Sequence, residues 1–193
     1  MVEVPFPVVL ASASPRRKEL LSKLLGEFEV LPAHVDEAAI NDPDPWVLAQ
    51  RTAREKALAV ARLRPDALVI GGDTVVAVPQ DGGWRQLGKP ADVEDARAML
   101  RSLSGRTHTV ITGVCLCWPG GMSAFTESSK VTFRKISDGE IAAYVATGSP
   151  LDKAGAYGLQ DDSQSFIEKV EGPIDNVIGL PMEKLEEALY SLG

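Results

Sequence analysis

The chain has 193 residues, 45% of them hydrophobic, with 20 Lys and Arg against 27 Asp and Glu, for a formal net charge of -7 at pH 7. That length supports one large domain, or two small lobes, around a real core. The acidic balance argues against nucleic acid as a partner, since such surfaces carry clustered basic charge, and it lends weight to basic residues gathered at one place.

Val8-Val9-Leu10-Ala11 reads as a strand. Its run to Ala13 is too short for a secretion signal and lacks a positive leader, and no apolar stretch reaches the length of a membrane span, so the expectation is a cytoplasmic protein without membrane attachment. Ser14 reads as the N-cap and Pro15 as the first residue of a helix whose apolar face is Leu20, Leu21, Leu24 and Leu25. Its first turn holds Arg16, Arg17 and Lys18. A helix N-terminus carries partial positive charge, and each cation there costs about 0.3 to 1 kcal/mol unless something offsets it. A solvated basic turn is the plain reading. A polyphosphate is the sharper one, because free N–H groups and two guanidiniums match its oxygens.

Phe28 to Ala33 reads as a short strand, and Asp42-Pro43-Asp44-Pro45 marks a loop. A second helix begins near Trp46, with Trp46, Ala49, Ala53, Ala57 and Val60 as its apolar stripe and Lys56 inside that stripe. Either the lysine stem snorkels or its ammonium meets a ligand. Ala67 to Val78 is nearly continuous apolar sequence, the pattern of a strand covered on both faces, interrupted by Gly71-Gly72-Asp73-Thr74. Asp92 caps a helix carrying Ala96, Met99, Leu100 and Leu103, and Gly105 marks its end. Thr107 to Trp118 and a second long β segment ending near Arg134-Lys135-Ile136 form a hairpin about Pro119-Gly120-Gly121. Ser137 and Glu140 fit a capping box for a helix that stops at Gly148, and Pro181 opens a last helix with Met182, Leu185, Leu189 and Leu192 inward. Strands alternating with capped helices, without repeat or long linker, indicate an α/β fold in one domain over residues 1–193. Cys115 and Cys117 have no second pair for a zinc site and read as reduced packing residues.

Asp73 is the strongest candidate for a reacting centre. Aspartate is disfavoured in strands, and an unpaired buried carboxylate is costly, so a metal or a cationic partner is expected beside it. The preceding Gly71-Gly72 is expected to let a ligand approach the backbone. His34-Val35-Asp36-Glu37 offers two carboxylates in a loop, and Lys153 to Gln160 is a small-residue loop whose glutamine presents both donor and acceptor. Gly83 to Lys89 matches phosphate-loop spacing, but Pro90 stands where Ser or Thr must bind magnesium and a helix must begin. Lys89 is left as a point charge from a turn, and His108 as an ordinary strand residue.

These motifs together resemble the Maf family, relatives of a septum-formation protein that are nucleoside triphosphate pyrophosphatases and share a superfamily with inosine triphosphate pyrophosphatases. The resemblance runs from Leu10-Ala11-Ser12-Ala13-Ser14-Pro15-Arg16-Arg17 through Asp36-Glu37, Glu55-Lys56-Ala57, Gly72-Asp73-Thr74, Gly88-Lys89-Pro90 and Ser104-Gly105-Arg106-Thr107-His108 to Asn176-Val177-Ile178-Gly179-Leu180-Pro181. Lys153 to Gln160 is similar to the subgroup acting on dTTP and UTP rather than that associated with 7-methyl-GTP. The resemblance implies an elongated mixed β-sheet flanked by helices, with two lobes around a cleft, and it admits a homodimer. It implies Asp73 as proton acceptor, Arg16, Thr74 and Gln160 as residues governing substrate choice, and Ser12, Arg17, Glu37, Lys56 and Lys89 as the polar cleft lining. A divalent cation (Mg2+, Mn2+ or Co2+) is expected on Glu37 and Asp73. An ordinary aspartate titrates at about 3.9 and is a weak base near neutrality, so water attacking the α-phosphorus is expected to need that cation. Asp161 stands where glycine commonly follows the glutamine, and Ser149 where an acidic residue commonly precedes the proline. The competing expectation is a non-catalytic nucleotide-binding regulator of cell division, which needs the basic cradle but not Asp73. Within the enzyme class, modified pyrimidine nucleotides such as 5-methyl-UTP or pseudo-UTP are the alternative targets.

Overall fold

The computed structural model describes residues 2–192. Its spine is β3 (Leu68–Gln80), a strand with apolar side chains on both faces, as its sequence predicts. The remaining elements in chain order are β1 (Val8–Leu10), α1 (Pro15–Leu24), β2 (Glu29–Val30) and α2 (Pro45–Ala61) before it. After it come β4 (Gly83–Leu87), α3 (Val93–Leu103), β5 (Thr107–Trp118), β6 (Gly121–Phe133), α4 (Asp138–Ala146), β7 (Ile167–Glu171), α5 (Ile174–Ile178) and α6 (Met182–Tyr190). They make a mixed sheet in the order β2-β1-β3-β5-β6-β7, with β1 parallel to both its neighbours and β4 antiparallel to β3.

One edge of β3 is shared. β5 pairs with β3 from Val69 to Ala77, so β1 on residues 68–70 and β4 on residues 76–80 both occupy the opposite edge. Between them, residues 71–75 have no strand partner on that side. The sheet therefore forks, and the fork opens at Gly71-Gly72-Asp73-Thr74-Val75.

Side-chain alternation along β3 sorts the helices onto the two faces. Val69, Val75 and Ala77 point to the face covered by α2, where they meet Ala53, Ala57 and Ala49. On the other face, Leu68 and Ile70 pack with Leu20 and Leu21 of α1 and Leu185 and Leu189 of α6. Val76 and Val78 pack there with Leu100 and Leu103 of α3 and Ile141 and Tyr144 of α4. That face thus carries two separate hydrophobic clusters, one at each end of β3. Among the described residues, no helix is long and apolar enough to cross a membrane.

Several expectations need correction. β2 is only two exposed residues, because Leu31, Pro32 and Ala33 turn away after Leu31 donates its N–H to Leu10. β4 lies inside the segment set aside as a false phosphate loop, where Gly82 at φ +80° makes the turn of a hairpin from β3. Mostly exposed side chains hid that strand from its hydrophobic pattern. β6 stops at Phe133, short of Arg134, whereas α3 ends at Leu103 with Gly105 at φ +66° just beyond its cap, the stop its sequence predicts. β7 and α5, five residues each, are too short for periodicity to declare them.

Gly71 and Gly72 do not leave room for a ligand. A Cβ on Gly71 would lie 2.3 Å from the Ala53 carbonyl oxygen, and one on Gly113, which pairs with Asp73, would lie 2.3 Å from that of Ala49, so α2 packs its backbone directly on the sheet. A Cβ on Gly72 would lie 3.1 Å from Arg17 Nε. Gly71→Ala should cost about 1 to 3 kcal/mol, because rigid helix backbone rather than a side chain must move. Urea denaturation of the variant checks this, and an unchanged midpoint would contradict the packing described.

Candidate active site

The cationic turn of α1 is built as its sequence implies. Ser14 caps the helix by accepting the Arg17 N–H at 3.4 Å, with Pro15 following. The Arg17 side chain turns inward over Gly72. Its Nε donates to the Gly179 carbonyl at 2.8 Å, one terminal nitrogen to Ser12 Oγ at 3.3 Å and the other to Thr74 Oγ1 at 3.0 Å. A guanidinium has five N–H donors, so two, one on each terminal nitrogen, have no partner among the described residues. Burial lowers the Arg17 pKa from its usual value while the Asp73 carboxylate opposes that shift. The group stays charged, held in a fixed pose on the wall of a cavity.

The Thr74 hydroxyl lies between Arg17 and Thr112. Thr112 Oγ1 spends its single proton on the Asn176 carbonyl at 2.9 Å, so in the 3.0 Å contact between the two threonines Thr74 is the donor. Thr74 then accepts from Arg17. Its hydroxyl is committed on both sides and braces the guanidinium through Thr112 to α5. Thr112 and Asn176, both fully buried, were invisible to motif reading because nothing local marks a strand threonine as polar support.

Asp73 lies on the other face of β3, toward α2. Its side chain is 16% exposed, and Oδ1 accepts from Lys56 Nζ at 2.8 Å; Lys56 is 11% exposed. The lysine in the apolar stripe is thus an ion-pair partner that resolves the cost of the buried carboxylate. Glu37, in a short 3-10 turn (Glu37–Ala39), reaches the same ammonium with Oε2 at 3.0 Å. Both carboxylates converge on one positive charge, which is the electrostatic arrangement a divalent cation would also satisfy. Among the described residues no set of three or more His, Cys, Asp or Glu gathers as a metal nest. Two hard oxygen donors still fit an ion that keeps several waters and takes phosphate oxygens for the rest of its shell. Asp36 precedes the turn without a side-chain capping hydrogen bond and does not line the cavity.

A cavity of about 320 Å³ joins these groups across the fork, lined by Ser12, Arg16, Arg17, Glu37, Lys56, Asp73, Thr74, Lys89 and Gln160. All nine side chains singled out from the sequence therefore share one space. Arg16 extends toward Asp152 at 3.8 Å, a carboxylate on the far wall that motif reading did not flag. Lys89 is exposed two residues beyond the end of β4, and the loop behind it is tied by the Gly155 N–H to the Gly88 carbonyl at 3.0 Å. Lys153 faces the cavity with its stem, but its ammonium is bound by Ser149 and Asp152. Beneath the loop, Tyr157 Oη meets His108 Nε2 at 2.7 Å. Cys115 is buried and Cys117 half-buried, both as free thiols, with burial pushing the Cys115 pKa up to about 12.

A family model described as Maf-like protein matches residues 7–192. The chain belongs to the Maf family. It is 48% identical over 186 residues to a dTTP/UTP pyrophosphatase of Koribacter versatilis (strain Ellin345), covering 96% of this chain and 94% of that protein. Proteins of the same description from Geobacillus sp. (strain WCH70) and Aquifex aeolicus (strain VF5) are 46% and 44% identical. Each match covers 96% of this chain, with 98% and 95% of the relatives. Among solved structures it resembles a HAM1 protein from Coxiella burnetii, with a TM-score of 0.54 and 14% identity over 96% of this chain and 99% of that one. The Ham1 protein of Staphylococcus aureus gives 0.50 and 15%, over 97% and 100%. These two likenesses bear on the fold, a mixed sheet flanked by helices as expected.

His108 supplies a stability test for the loop support. Burial depresses its pKa from 6.5 to about 3, so the folded protein keeps it neutral. The unfolded chain takes up a proton below about pH 6.5 that the folded one refuses, so stability is lost as pH falls through this range. Going from about pH 7.5 to about pH 5, the wild type should lose about 2 kcal/mol more than His108→Gln. Urea denaturation at both pH values measures it, and parallel losses would contradict a buried neutral histidine.

Proposed function

We propose that this protein hydrolyses nucleoside triphosphates between the α and β phosphates, releasing pyrophosphate and a nucleoside monophosphate, with dTTP and UTP as substrates. The observation carrying this reading is the meeting of Arg17 and the Asp73–Lys56 pair from opposite faces of the sheet in one cavity. The descriptions of the relatives support the substrate class.

Arg17, with its two uncommitted N–H donors, and Arg16 grip phosphate oxygens at the α1 N-terminus, where the helix dipole adds to their field. Lys89 closes on the tail from the rim of β4. Asp73 faces the α-phosphorus and takes the proton of the attacking water. Lys56 holds Asp73 in place through their ion pair, then lends its charge to the phosphoryl oxygens as negative charge develops. Glu37 and Asp73 would hold a divalent cation, Mg2+, Mn2+ or Co2+, which when bound supplies positive charge at the phosphate oxygens. Gln160 reads the base edge with its amide from the opposite wall. A purely regulatory nucleotide sensor would need Arg17 and Lys89 but gains nothing from a carboxylate held against a lysine. We place the activity in the cytoplasm, where nucleoside triphosphates occur and free thiols persist.

The test is a panel of nucleoside triphosphates with magnesium, including 5-methyl-UTP and pseudo-UTP, in which pyrophosphate is resolved from orthophosphate. UTP and dTTP should yield monophosphate and pyrophosphate. Asp73→Asn should lower kcat by roughly a hundredfold to ten-thousandfold with nucleotide binding retained. Orthophosphate as the product, or near wild-type turnover in Asp73→Asn, would contradict the proposal.

A further inference from the structure

The base-reading wall has an anchor that does not touch the cavity. Gln160 is exposed and sits in a tight turn, Gly158-Leu159-Gln160-Asp161, closed by the Asp161 N–H on the Gly158 carbonyl at 3.4 Å. An amide on such a turn discriminates bases only if the backbone beneath it is held, since ordering it on binding would consume the affinity difference. Asp161 closes that turn, and its carboxylate is where the surrounding elements converge.

Tyr144 Oη of α4 donates to Asp161 Oδ2 at 2.8 Å, and Ser149 Oγ donates to the same oxygen at 2.9 Å. The other oxygen accepts the Ser163 N–H at 2.9 Å, capping the 3-10 turn at Asp162–Phe166, and lies 2.6 Å from Ser163 Oγ. Lys153 Nζ adds its charge at 3.6 Å. Gly158 packs closely on this network: a Cβ there would lie 2.9 Å from the Lys153 stem and 3.4 Å from Asp161 Oδ2. The two positions noted as departures from the family resemblance are therefore in direct contact with each other. Ser149 Oγ is also 3.1 Å from Lys153 Nζ, so a carboxylate at 149 would reach the same ammonium.

We propose that Asp161 is a positioning residue for nucleotide selection, holding the turn that presents Gln160, and that the pair Ser149 and Asp161 supplies one carboxylate and one hydroxyl that can exchange places. This rests on the reading of Gln160 as the base-contacting residue. The carboxylate is essential because it accepts from α4, the 149 turn and the 3-10 turn at once. Among the described residues, a neutral side chain at 161 leaves the buried Lys153 ammonium with only Asp152 as counter-charge.

The experiment compares kcat and KM for UTP and ATP, and the thermal midpoint, in wild type, Gln160→Ala, Asp161→Ser and the exchange variant Ser149→Asp with Asp161→Ser. Asp161→Ser keeps a side chain able to cap the 3-10 turn. It should lower the UTP-to-ATP ratio of kcat/KM by about tenfold, through the UTP KM, with the ATP kcat within about threefold of wild type. The exchange variant should restore the ratio to within about threefold. Should Asp161→Ser fail to fold, Asp161→Asn takes its place in the comparison. If Gln160→Ala shifts the ratio and the Asp161 variants do not, the inference fails and the Gln160 reading stands. If Gln160→Ala leaves the ratio unchanged, the Gln160 reading fails and takes the inference with it. Equal losses for both nucleotides, or an exchange variant no better than Asp161→Ser alone, would also overturn the proposal.

Discussion

The site exists because five residues of the central strand have a neighbour on only one edge. β1 leaves β3 after Ile70 and β4 joins it at Val76, and the open stretch between carries Asp73 and Thr74. In an unbroken sheet, alternation would put these two side chains on opposite faces with a layer of backbone between them. At the fork the next strand is missing, so groups from both faces reach around one edge. Arg17 and Thr74 arrive from one side, Lys56 and Asp73 from the other.

Each half then depends on a close approach that only glycine permits. α2 lies against Gly71 and Gly113 with backbone contact, and this proximity lets a lysine inside an apolar helix stripe reach an aspartate on the strand. The Arg17 guanidinium lies over Gly72 and is braced by Ser12, Thr74 and the Gly179 carbonyl. Lys56 and Asp73 compensate each other's burial, since an unpaired ion there costs several kcal/mol, whereas Arg17 is held by hydrogen bonds to neutral acceptors. An acidic protein thereby concentrates positive charge where a polyanion would sit. The two hydrophobic clusters on the α1 face hold the walls of the cleft apart, one behind α1 and α6, the other behind α3 and α4.

Most of this frame is legible in the chain. Caps at Ser14, Asp92 and Ser137, the two-face apolar run of β3 and the long hairpin of β5 and β6 all follow local rules and appear where those rules place them. Lys56 and Asp73 announced themselves as charges in apolar surroundings, and the structure pairs them. What stayed hidden has a common cause. β4 and β7 are mainly exposed edge strands without an apolar alternation, and α5 is too short to show a period. Thr112 and Asn176 act through contacts made by residues far apart in sequence. The role of Gly71 was misread because an absent side chain looks the same whether a ligand or a helix occupies the space.

The central claim is that the fork in the sheet is the nucleotide site. A crystal structure of the Asp73→Asn variant with UTP and magnesium tests it most directly. The triphosphate should lie across the open edge of β3 between β1 and β4, with phosphate oxygens on the two uncommitted N–H donors of Arg17. A nucleotide seated on another surface, with no phosphate between Arg17 and Lys56, would contradict it.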